Sequence, residues 1–407
     1  MKIIECIPNF SEGRDQATIL AIRDAICSVP NIQFLLLESG EETHRTVMTF
    51  TGSPEAVTEA AFRAIQTAAE RIDMSKHHGT HPRQGATDVC PFVPVSGITM
   101  KECAELATKL GKRVGEELQI PVYLYEYSAT SEERRNLTFL RMGEYEALPR
   151  KLCPEGLLPD FGPQTFNERT AKTGATVIGA RDFLIAYNIN LNTMNQQLAA
   201  EIAEELREKG RIRRFGNIHP YYYKGRILRY NEETSEYPCS LCYFYGNSPD
   251  QLQEHSLQAH NFDWQAFMKN KWNIDIHGSL DGVSVKEPGQ IKYCKAIGWV
   301  IESYHCAQVS MNLTHPDKTP LHQVFEACRE SAAIRGLEVT GSEIIGVIPY
   351  AYLRDAGLFY LKRRHGSNCP KNPSPAEILD AAIQNLGLND VAPFDIHQKV
   401  LGLPENI

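Results

Sequence analysis

The sequence contains no run of apolar residues long enough to cross a membrane. A transmembrane helix needs about 20 consecutive apolar residues, and no stretch of this chain approaches that length. The first residues, 1–6, indicate a short strand and lack the apolar core of a signal peptide. We therefore expect a cytoplasmic protein that does not interact with membranes.

Positive charge is scarce as well. The chain has 42 lysines and arginines against 50 aspartates and glutamates, a formal net charge of −8. Proteins that bind nucleic acids draw most of their affinity from clustered positive charge, so we expect no nucleic-acid partner. A local basic groove that binds a small anionic molecule is still compatible with this balance.

Closely spaced cysteines are rare. Most of the 11 cysteines stand alone in apolar stretches, and only Cys239 and Cys242 are closely paired in the sequence. An odd number of mostly isolated cysteines in a long chain is typical of buried, reduced thiols. This pattern agrees with a cytosolic protein.

Alternating strand and helix patterns fill the first part of the chain. The spacing of apolar residues predicts a strand, a helix, two strands and a second helix, and Ser53 and Pro54 suit the start of that second helix. The same order restarts at residue 183. The predicted elements are 3–8, 16–27, 32–38, 46–50, 54–72, 89–93, 100–118 and 122–125 in the first part, and 183–189, 194–208, 296–302, 307–312, 320–333, 344–349 and 350–363 in the second.

This repeated order is typical of ferredoxin-like domains. We predict an α/β (α+β) fold of two such subdomains, residues 1–180 and 181–407, with residues 128–180 connecting the two halves. Residues 214–289 form an insertion that interrupts the second subdomain. Two halves of this kind would meet in a cleft, which is a preferred location for ligands.

One segment stands apart in its composition. Residues 73–92, here called the histidine segment, contain His77, His78, His81, Arg83 and Asp88 and end in an apolar strand. Histidine can take and give a proton near neutral pH, and arginine presents a planar fork that suits carboxylates. These properties favour an active site. On this pattern alone, two other interpretations stay open: a metal site formed by the three histidines, and a solvated loop.

In this segment the sequence resembles the glutamate formimidoyltransferase family. The resemblance rests first on His-Gly-Thr-His-Pro-Arg at 78–83, with Gly85 and with Asp-Val-Cys-Pro-Phe at 88–92. It continues across nearly all of the chain outside 214–289, in the motifs at 6–13, 45–47 with Phe50, 121–125, 143–146, 159–163, 179–181, 188–191, 296–299 and 307–310. Matches spread over so much of the chain make the resemblance specific.

The resemblance implies an enzyme of histidine catabolism and one-carbon metabolism. Family members transfer the formimino group from N-formimino-L-glutamate to N5 of tetrahydrofolate. They consist of two related α/β subdomains with a tunnel between them, and they are usually homodimers. In vertebrates this unit is fused to a cyclodeaminase domain, for which a chain ending at residue 407 has no room. We therefore expect a monofunctional enzyme that works with a separate cyclodeaminase.

His81 falls on the position that the family uses as its catalytic acid–base. Attack of N5 on the amidine carbon makes N5 cationic, so a base must remove its proton while the leaving nitrogen gains one. One histidine placed between the two nitrogens can do both. As a hypothesis, Asp88 or Glu38 orients His81 or pairs with the cationic amidine; the alternative for either carboxylate is a capping or turn role.

Other residues are candidates for substrate binding. Arg45, Arg83 and Arg181 are each expected either to bind a substrate carboxylate or to form a structural ion pair. The resemblance also implies that residues 162–174, here called the folate loop, contact tetrahydrofolate, although the loop is a few residues longer than is usual in the family. An aromatic side chain in it is suited to stack on the pterin or benzoyl ring. The candidate folate contacts are Gly162, Pro163, Gln164, Thr165, Phe166 and Gly174.

The insertion carries a second, independent motif. The spacing Cys239-x2-Cys242-x12-His255-x4-His260 fits a Cys2His2 zinc site. A β-prone aromatic stretch at 237–245 precedes a predicted helix at 248–260, as in a small zinc finger. Four protein ligands leave no open coordination position, so we expect any zinc here to be structural.

Two other functions stay compatible with the sequence. The first is formyl transfer from N-formylglutamate to tetrahydrofolate, which differs from the leading interpretation only by an oxygen in place of a nitrogen on the transferred carbon. The second is a non-catalytic folate-binding or zinc-dependent interaction protein. Retention of His81 and its whole segment argues against the second.

Overall fold

The computed structural model describes residues 2–216, 221–366 and 372–404. The chain divides into two compact units. Unit 1 contains the residues up to Phe183 together with Ile345–Ile348 and Asp395–Leu401, and unit 2 contains Leu184–Ile344 and Pro349–Phe394. None of the helices in the described ranges combines the length and the apolarity needed to span a bilayer.

Unit 1 is a mixed sheet with helices packed on it. Its elements are β1 (Ile3–Cys6), β2 (Asn9–Phe10), α1 (Gln16–Cys27), β3 (Gln33–Gly40), β4 (Arg45–Gly52), α2 (Pro54–Arg71), β5 (Thr87–Ser96), α3 (Met100–Glu117), β6 (Val122–Glu126), α4 (Leu137–Leu140), α5 (Leu148–Lys151), α6 (Glu168–Thr173) and β7 (Thr176–Ala180). The strands follow the order β1-β4-β2-β5-β7-β6, and β3 pairs with β4. Pairs among β1 to β5 are antiparallel, whereas β5, β7 and β6 run parallel.

The core of unit 1 lies between this sheet and helices α1, α2 and α3. Successive side chains of a strand point to opposite faces. In β1, Ile4 and Cys6 therefore enter the core, while Glu5 points to the other face of the sheet. Glu5 is nevertheless buried, at 3% exposure.

Helix starts follow the local sequence closely. The Ser53 side chain accepts a hydrogen bond from the Ala56 amide, and Pro54 occupies the first turn of α2. Proline fits this position because its missing N–H would have no partner inside the helix. The predicted start of this helix is confirmed.

The prediction that residues 128–180 only connect the two halves misses one strand. β7 lies between β5 and β6 and pairs with both. All of its residues are buried, so it lacks the alternation of apolar and polar residues by which a half-buried strand is recognised. It is a central strand of the sheet in unit 1.

Unit 2 combines a four-stranded sheet with helices. The elements after residue 183 are β8 (Ile185–Leu191), α7 (Gln196–Leu206), β9 (Arg211–Ile212), β10 (Arg214–Phe215), β11 (Arg226–Ile227), β12 (Tyr237–Pro238), β13 (Tyr245–Gly246), α8 (Pro249–His260), α9 (Trp264–Trp272), β14 (Lys286–Glu287), β15 (Cys294–Ile301), β16 (Cys306–Leu313), α10 (Leu321–Ile334), β17 (Val339–Ile345), β18 (Ile348–Pro349), α11 (Tyr350–His365), α12 (Pro375–Leu386), α13 (Ile396–Lys399) and β19 (Val400–Leu401). Of these, α13 and β19 belong to unit 1. The four-stranded sheet has the order β15-β16-β8-β17, and its pairs β15–β16 and β16–β8 are antiparallel. The mixed α/β class is confirmed.

One predicted strand is divided between two observed strands. The apolar run 344–349 predicts a single strand, but residues 344 and 345 end β17, which begins at Val339, and residues 348 and 349 form β18. At the start of β17, Val339 is only partly buried and Thr340 is exposed, and the next two residues are glycine and serine. Apolar periodicity therefore identifies only the buried end of this strand.

The insertion has an apolar core of its own. Trp264, Tyr230 and Leu252 are almost completely buried in it, and the Trp264 indole N–H donates to the Tyr230 hydroxyl at 3.0 Å. Helix α8 starts as predicted, with Ser248 capping it and Pro249 in its first turn. β12 and β13 form a short antiparallel pair just before it.

Candidate functional site

Two stacked imidazoles anchor the histidine segment. The rings of His44 and His77 lie 4.1 Å apart and nearly parallel. His44 Nδ1 contacts the His78 carbonyl at 2.8 Å, and His77 Nε2 donates to the His44 carbonyl at 2.9 Å. Burial lowers the pKa of His77 to about 4, so this ring is neutral at physiological pH. The stacked pair fixes the backbone that leads to His81.

His81 has a defined tautomer. Its Nδ1 lies 2.7 Å from the Pro82 carbonyl oxygen, which can only accept, so the ring proton resides on Nδ1 and the lone pair on Nε2. Burial, reinforced by the charges of Arg45 and Arg141, holds the pKa of His81 well below its usual value, and Asp88 only partly opposes this. At neutral pH the ring is therefore an uncharged base.

Asp88 joins two arginines from different elements. Its carboxylate is fully buried, and one oxygen accepts from Arg45, at the start of β4, at 2.7 Å and from Arg141, just after α4, at 2.6 Å. The other oxygen accepts from the backbone amide of Gln84 at 3.0 Å. Burial raises the pKa of Asp88, but the charges of Arg141 and Arg45 outweigh it and bring the pKa below its usual value. Asp88 thus holds both arginines beside His81, and its predicted contact with the amidine stays a prediction.

Arg83 pairs with carboxylates of the chain itself. Its guanidinium contacts Glu146 at 2.8 and 2.9 Å and Glu144 at 3.2 Å, and its Nε donates to His77 at 3.3 Å. These contacts match the structural ion pair that the sequence left open, and its predicted binding of a substrate carboxylate stays a prediction. An open cavity of about 430 Å³ lies beside it, lined by His78, Gly79, Arg83, Gly143, Glu144 and Glu146.

The end of the folate loop is hydrogen-bonded to the histidine segment. Gly174 and Gly85 form an isolated antiparallel bridge. On either side of it, the Ala86 amide donates to the Thr173 carbonyl at 2.8 Å, and the Ala175 amide donates to the Gln84 carbonyl at 3.0 Å. The two segments therefore meet within a few residues of His81.

The start of the folate loop is more exposed. Gly162, Gln164 and Thr165 are exposed, whereas Pro163 is partly buried. Phe166 packs edge-on against Tyr145 with 6.4 Å between ring centres, so its predicted stacking on a folate ring stays a prediction.

Glu38 and Arg181, the remaining candidates, lie elsewhere in unit 1. Glu38, on β3, accepts from Lys399 and from the Gly346 amide. Arg181 directly follows β7, and its guanidinium donates to the Asp182 carbonyl at 2.9 Å. The charge of Arg181 also acts on Glu5, whose pKa is raised to about 7 by burial and only partly lowered by that charge. The predicted roles of both residues stay predictions.

Sequence reasoning missed Arg141 and Glu5. Arg141 precedes the motif at 143–146 by two residues, but only its ion pair with Asp88 distinguishes it from the other arginines of the chain. The sequence does contain a signal for Glu5, because a charged residue inside the apolar strand 3–6 stands out from its neighbours. A buried carboxylate without an adjacent cation in the sequence is unusual in a strand.

Four potential metal ligands come together in the insertion. One ligand atom each of Cys239, Cys242, His255 and His260 lies within 4.8 Å of the others. The Cys242 sulfur is 3.1 Å from His255 Nε2, and His260 Nε2 is buried without a hydrogen-bond partner. Thiolate and imidazole together form a donor set that zinc prefers. The described residues contain no second group of this kind, the histidine segment included.

Family models match most of the chain. The model described as "Formiminotransferase domain, N-terminal subdomain" matches residues 3–181. The model described as "Formiminotransferase domain" matches residues 260–403.

Relatives of two lengths are similar to this chain. It is 38% identical over 404 residues to the formimidoyltransferase-cyclodeaminase of Mus musculus, a match that covers 98% of this chain and 59% of the mouse protein. It is 36% identical over 361 residues to the glutamate formimidoyltransferase of Streptococcus pyogenes, covering 89% of this chain and 94% of that protein. The glutamate formimidoyltransferase of Thermoplasma acidophilum is 35% identical over 364 residues, with 89% and 93% covered.

Proposed function

This chain belongs to the glutamate formimidoyltransferase family, and we propose on that basis that it transfers the formimino group of N-formimino-L-glutamate to N5 of tetrahydrofolate. The products are 5-formiminotetrahydrofolate and L-glutamate, in a step of histidine degradation. The chain spans 59% of the mouse formimidoyltransferase-cyclodeaminase and 94% of the streptococcal glutamate formimidoyltransferase. The proposal therefore concerns the transferase reaction alone.

His81 acts as acid and base in turn. N5 of tetrahydrofolate attacks the amidine carbon, a new N5–C bond forms, and the proton on N5 passes to His81 Nε2. The same proton then passes to the nitrogen of the glutamate moiety as its bond to the transferred carbon breaks. Proton transfer by a positioned histidine typically contributes about 10²- to 10⁴-fold to a rate, and holding both substrates together supplies much of the rest.

The observation that carries this proposal is the hydrogen bond between His81 Nδ1 and the Pro82 carbonyl, at 2.7 Å. It leaves the lone pair on Nε2, as a base requires. The lowered pKa of His81 keeps that nitrogen unprotonated at neutral pH. In the second step the protonated ring is a strong acid for the same reason, which favours departure of the amine.

Tetrahydrofolate is proposed to bind along the folate loop. The bridge between Gly174 and Gly85 supports this, because it ties one end of the loop to the segment that carries His81. Exposed Gln164 and Thr165 offer polar groups to the ligand. Arg45 and Arg181 are proposed as further contacts for substrate carboxylates.

The four cysteine and histidine ligands of the insertion are proposed to hold one structural zinc ion. Their mutual distances, within 4.8 Å, and the unpartnered His260 Nε2 support this. When bound, the ion would tie the β12–β13 pair to α8. It would not take part in the reaction, since four protein ligands complete its coordination.

The organisation of the protein is also a proposal. We take residues 1–180 and 181–407 as ferredoxin-like subdomains, the second interrupted at 214–289, and the functional form as a cytoplasmic homodimer. A cyclodeaminase activity would consume the formimino product, since the animal relatives carry that activity in their name.

A donor comparison tests the reaction. Pure protein is mixed with tetrahydrofolate and either N-formimino-L-glutamate or N-formyl-L-glutamate, and glutamate release is measured. We expect rapid release from the formimino donor. Glutamate release from N-formyl-L-glutamate alone would show that the donor is the formyl compound, with the mechanism unchanged. If the protein binds tetrahydrofolate but releases glutamate from neither donor, it is a folate-binding protein and not a transferase.

A further inference from the structure

Two arginines contact the buried carboxylate of Asp88, and a third cation, Lys151, is linked to this group through Gln84. Arg45 and Arg141 share one of its oxygens, at 2.7 and 2.6 Å. Lys151 adds a third positive charge that acts on Arg141. Lys151 is 8% exposed, and its ammonium donates to the Leu140 carbonyl at 2.7 Å.

The cations of this cluster outnumber its carboxylate. Three positive side chains and one negative side chain leave a net charge of about +2 when Lys151 is protonated, and burial lowers the pKa of Lys151 only to about 8. Uncompensated charge in the interior is costly, so such charge is normally paired with a counter-ion. The cluster is therefore short of an anion.

Two buried donors of the cluster also lack partners. Arg141 Nε is buried without a hydrogen-bond partner, and so is Gln84 Nε2. Gln84 is completely buried, and its other amide atom, Oε1, lies 3.4 Å from the Lys151 ammonium. Unsatisfied buried donors are rare in proteins and call for an explanation such as a missing ligand.

Arg141 is better placed than Arg45 to bind that anion. The Arg45 guanidinium makes more contacts with the chain itself: its Nε donates to Asn9 at 3.0 Å, and one terminal nitrogen donates to Asp88 at 2.7 Å and toward the Pro82 carbonyl at 3.5 Å. One terminal nitrogen of Arg141 donates to Asp88, and its Nε has no hydrogen-bond partner. A guanidinium edge of this kind matches the two oxygens of a carboxylate.

We propose that Arg141, supported by Gln84 and Lys151, binds a carboxylate of the formimino donor next to His81. Arg141 and Asp88, which are hydrogen-bonded to each other, both lie close enough for their charges to act on the His81 ring, so a carboxylate bound to Arg141 sits near the proposed base. Asp88 positions both arginines through its hydrogen bonds with them. This inference rests on the proposed reaction and adds the donor subsite to it.

The folate co-substrate also carries carboxylates, and kinetics separates the two sources. The Arg141→Gln variant is compared with wild type for the KM of formiminoglutamate and the KM of tetrahydrofolate. We expect the donor KM to rise at least tenfold while the tetrahydrofolate KM stays within about twofold. Arg141→Lys, which keeps the charge, should recover part of the donor affinity.

Arg113→Gln serves as the matched control. Arg113 also pairs with a carboxylate, Glu59, at 2.7 Å, but between α3 and α2 and away from the cluster. The Arg113→Gln substitution should leave the KM for formiminoglutamate and the KM for tetrahydrofolate unchanged. A donor KM unchanged by Arg141→Gln would overturn the subsite, and a rise confined to tetrahydrofolate would assign Arg141 to the folate instead.

Equilibrium binding of L-glutamate separates this inference from the proposed reaction. Wild type should bind L-glutamate in calorimetry, and Arg141→Gln should weaken that binding at least tenfold, with folding of both checked by thermal unfolding. If wild type turns over the donor and Arg141→Gln binds L-glutamate equally well, only the subsite fails. If wild type does not turn over the donor but Arg141→Gln still weakens the binding of L-glutamate, only the proposed reaction fails.

Discussion

Gly174 faces Gly85 so closely that neither position has room for a Cβ atom. A Cβ on Gly174 would lie 2.2 Å from the Gln84 carbonyl oxygen, and one on Gly85 would lie 2.2 Å from the Ala175 carbonyl oxygen. These two glycines join the folate loop to the histidine segment. The position of the loop relative to His81 therefore depends on the absence of two side chains.

Substituting Gly174 by alanine should disturb this junction. Gly174 has φ 63° and ψ −153°, a combination that is essentially restricted to glycine. We expect Gly174→Ala to raise the KM for tetrahydrofolate or lower kcat by tenfold or more, in steady-state assays. Gly336→Ala is the control, because Gly336 also has a positive φ of 69° but open space around it. Equal kinetic effects of the two substitutions would contradict the coupling.

The pH dependence of the reaction should reflect the environment of His81. The ring must be neutral to act as a base, and its pKa is held well below 6.5. Activity should therefore be lost only as the pH falls through that lowered value, so kcat/KM for the donor should not fall as the pH passes through the ordinary histidine value of 6.5. In Arg141→Gln, which removes a charge that lowers this pKa, the acidic limb should move to higher pH. An acidic limb centred at or above pH 6.5 in wild type would contradict the account.

Glu5 should make the protein less stable as the pH rises. Its pKa is about 7 in the folded protein, against an ordinary value of 4.5 for the unfolded chain, so the folded state holds the proton more tightly. The free energy of unfolding should therefore fall as the pH increases from about 5 to about 7. Glu5→Gln should remove this dependence and be more stable than wild type at pH 8, by roughly 3 kcal/mol at most.

Thermal or denaturant unfolding at pH 5 and pH 8 measures this effect. Glu105→Gln, at an exposed position of α3, is the control and should follow wild type at both values. Stability of Glu5→Gln equal to that of wild type at pH 8 would contradict burial of a protonated Glu5.

Removing one ligand should abolish the proposed zinc site. We expect one zinc per chain in wild type and none in Cys239→Ser, by metal analysis of protein prepared without chelators. Since metal binding contributes directly to folding in small sites, the variant should unfold at a temperature lower by about 5 °C or more. Cys27→Ser, at an exposed cysteine, should retain the zinc. Metal-free wild type would rule the site out.

Local signals in the sequence predicted the elements whose causes are local. Ser53, Pro54, Ser248 and Pro249 mark helix starts through contacts within one turn, and both starts are confirmed. The sequence pattern did not predict β7, because a fully buried strand has no alternation of apolar and polar residues to detect.

The site was predictable only in part, because its contacts are distant in sequence. The histidine segment stands out by composition, but Arg141 acquires its significance from Asp88, 53 residues earlier. In the same way, the ion pairs of Arg83 with Glu144 and Glu146 join residues about 60 positions apart in the sequence. Charge pairing across the fold cannot be read from spacing along the chain.

The His81→Ala variant tests the central claim most directly. Its kcat with formiminoglutamate and tetrahydrofolate is measured beside wild type, together with tetrahydrofolate binding by fluorescence or calorimetry. If His81 carries the proton between the two nitrogens, kcat should fall by about 10²- to 10⁴-fold while tetrahydrofolate binds as in wild type. A kcat within about tenfold of wild type would contradict the account, since another group would then have to move the proton.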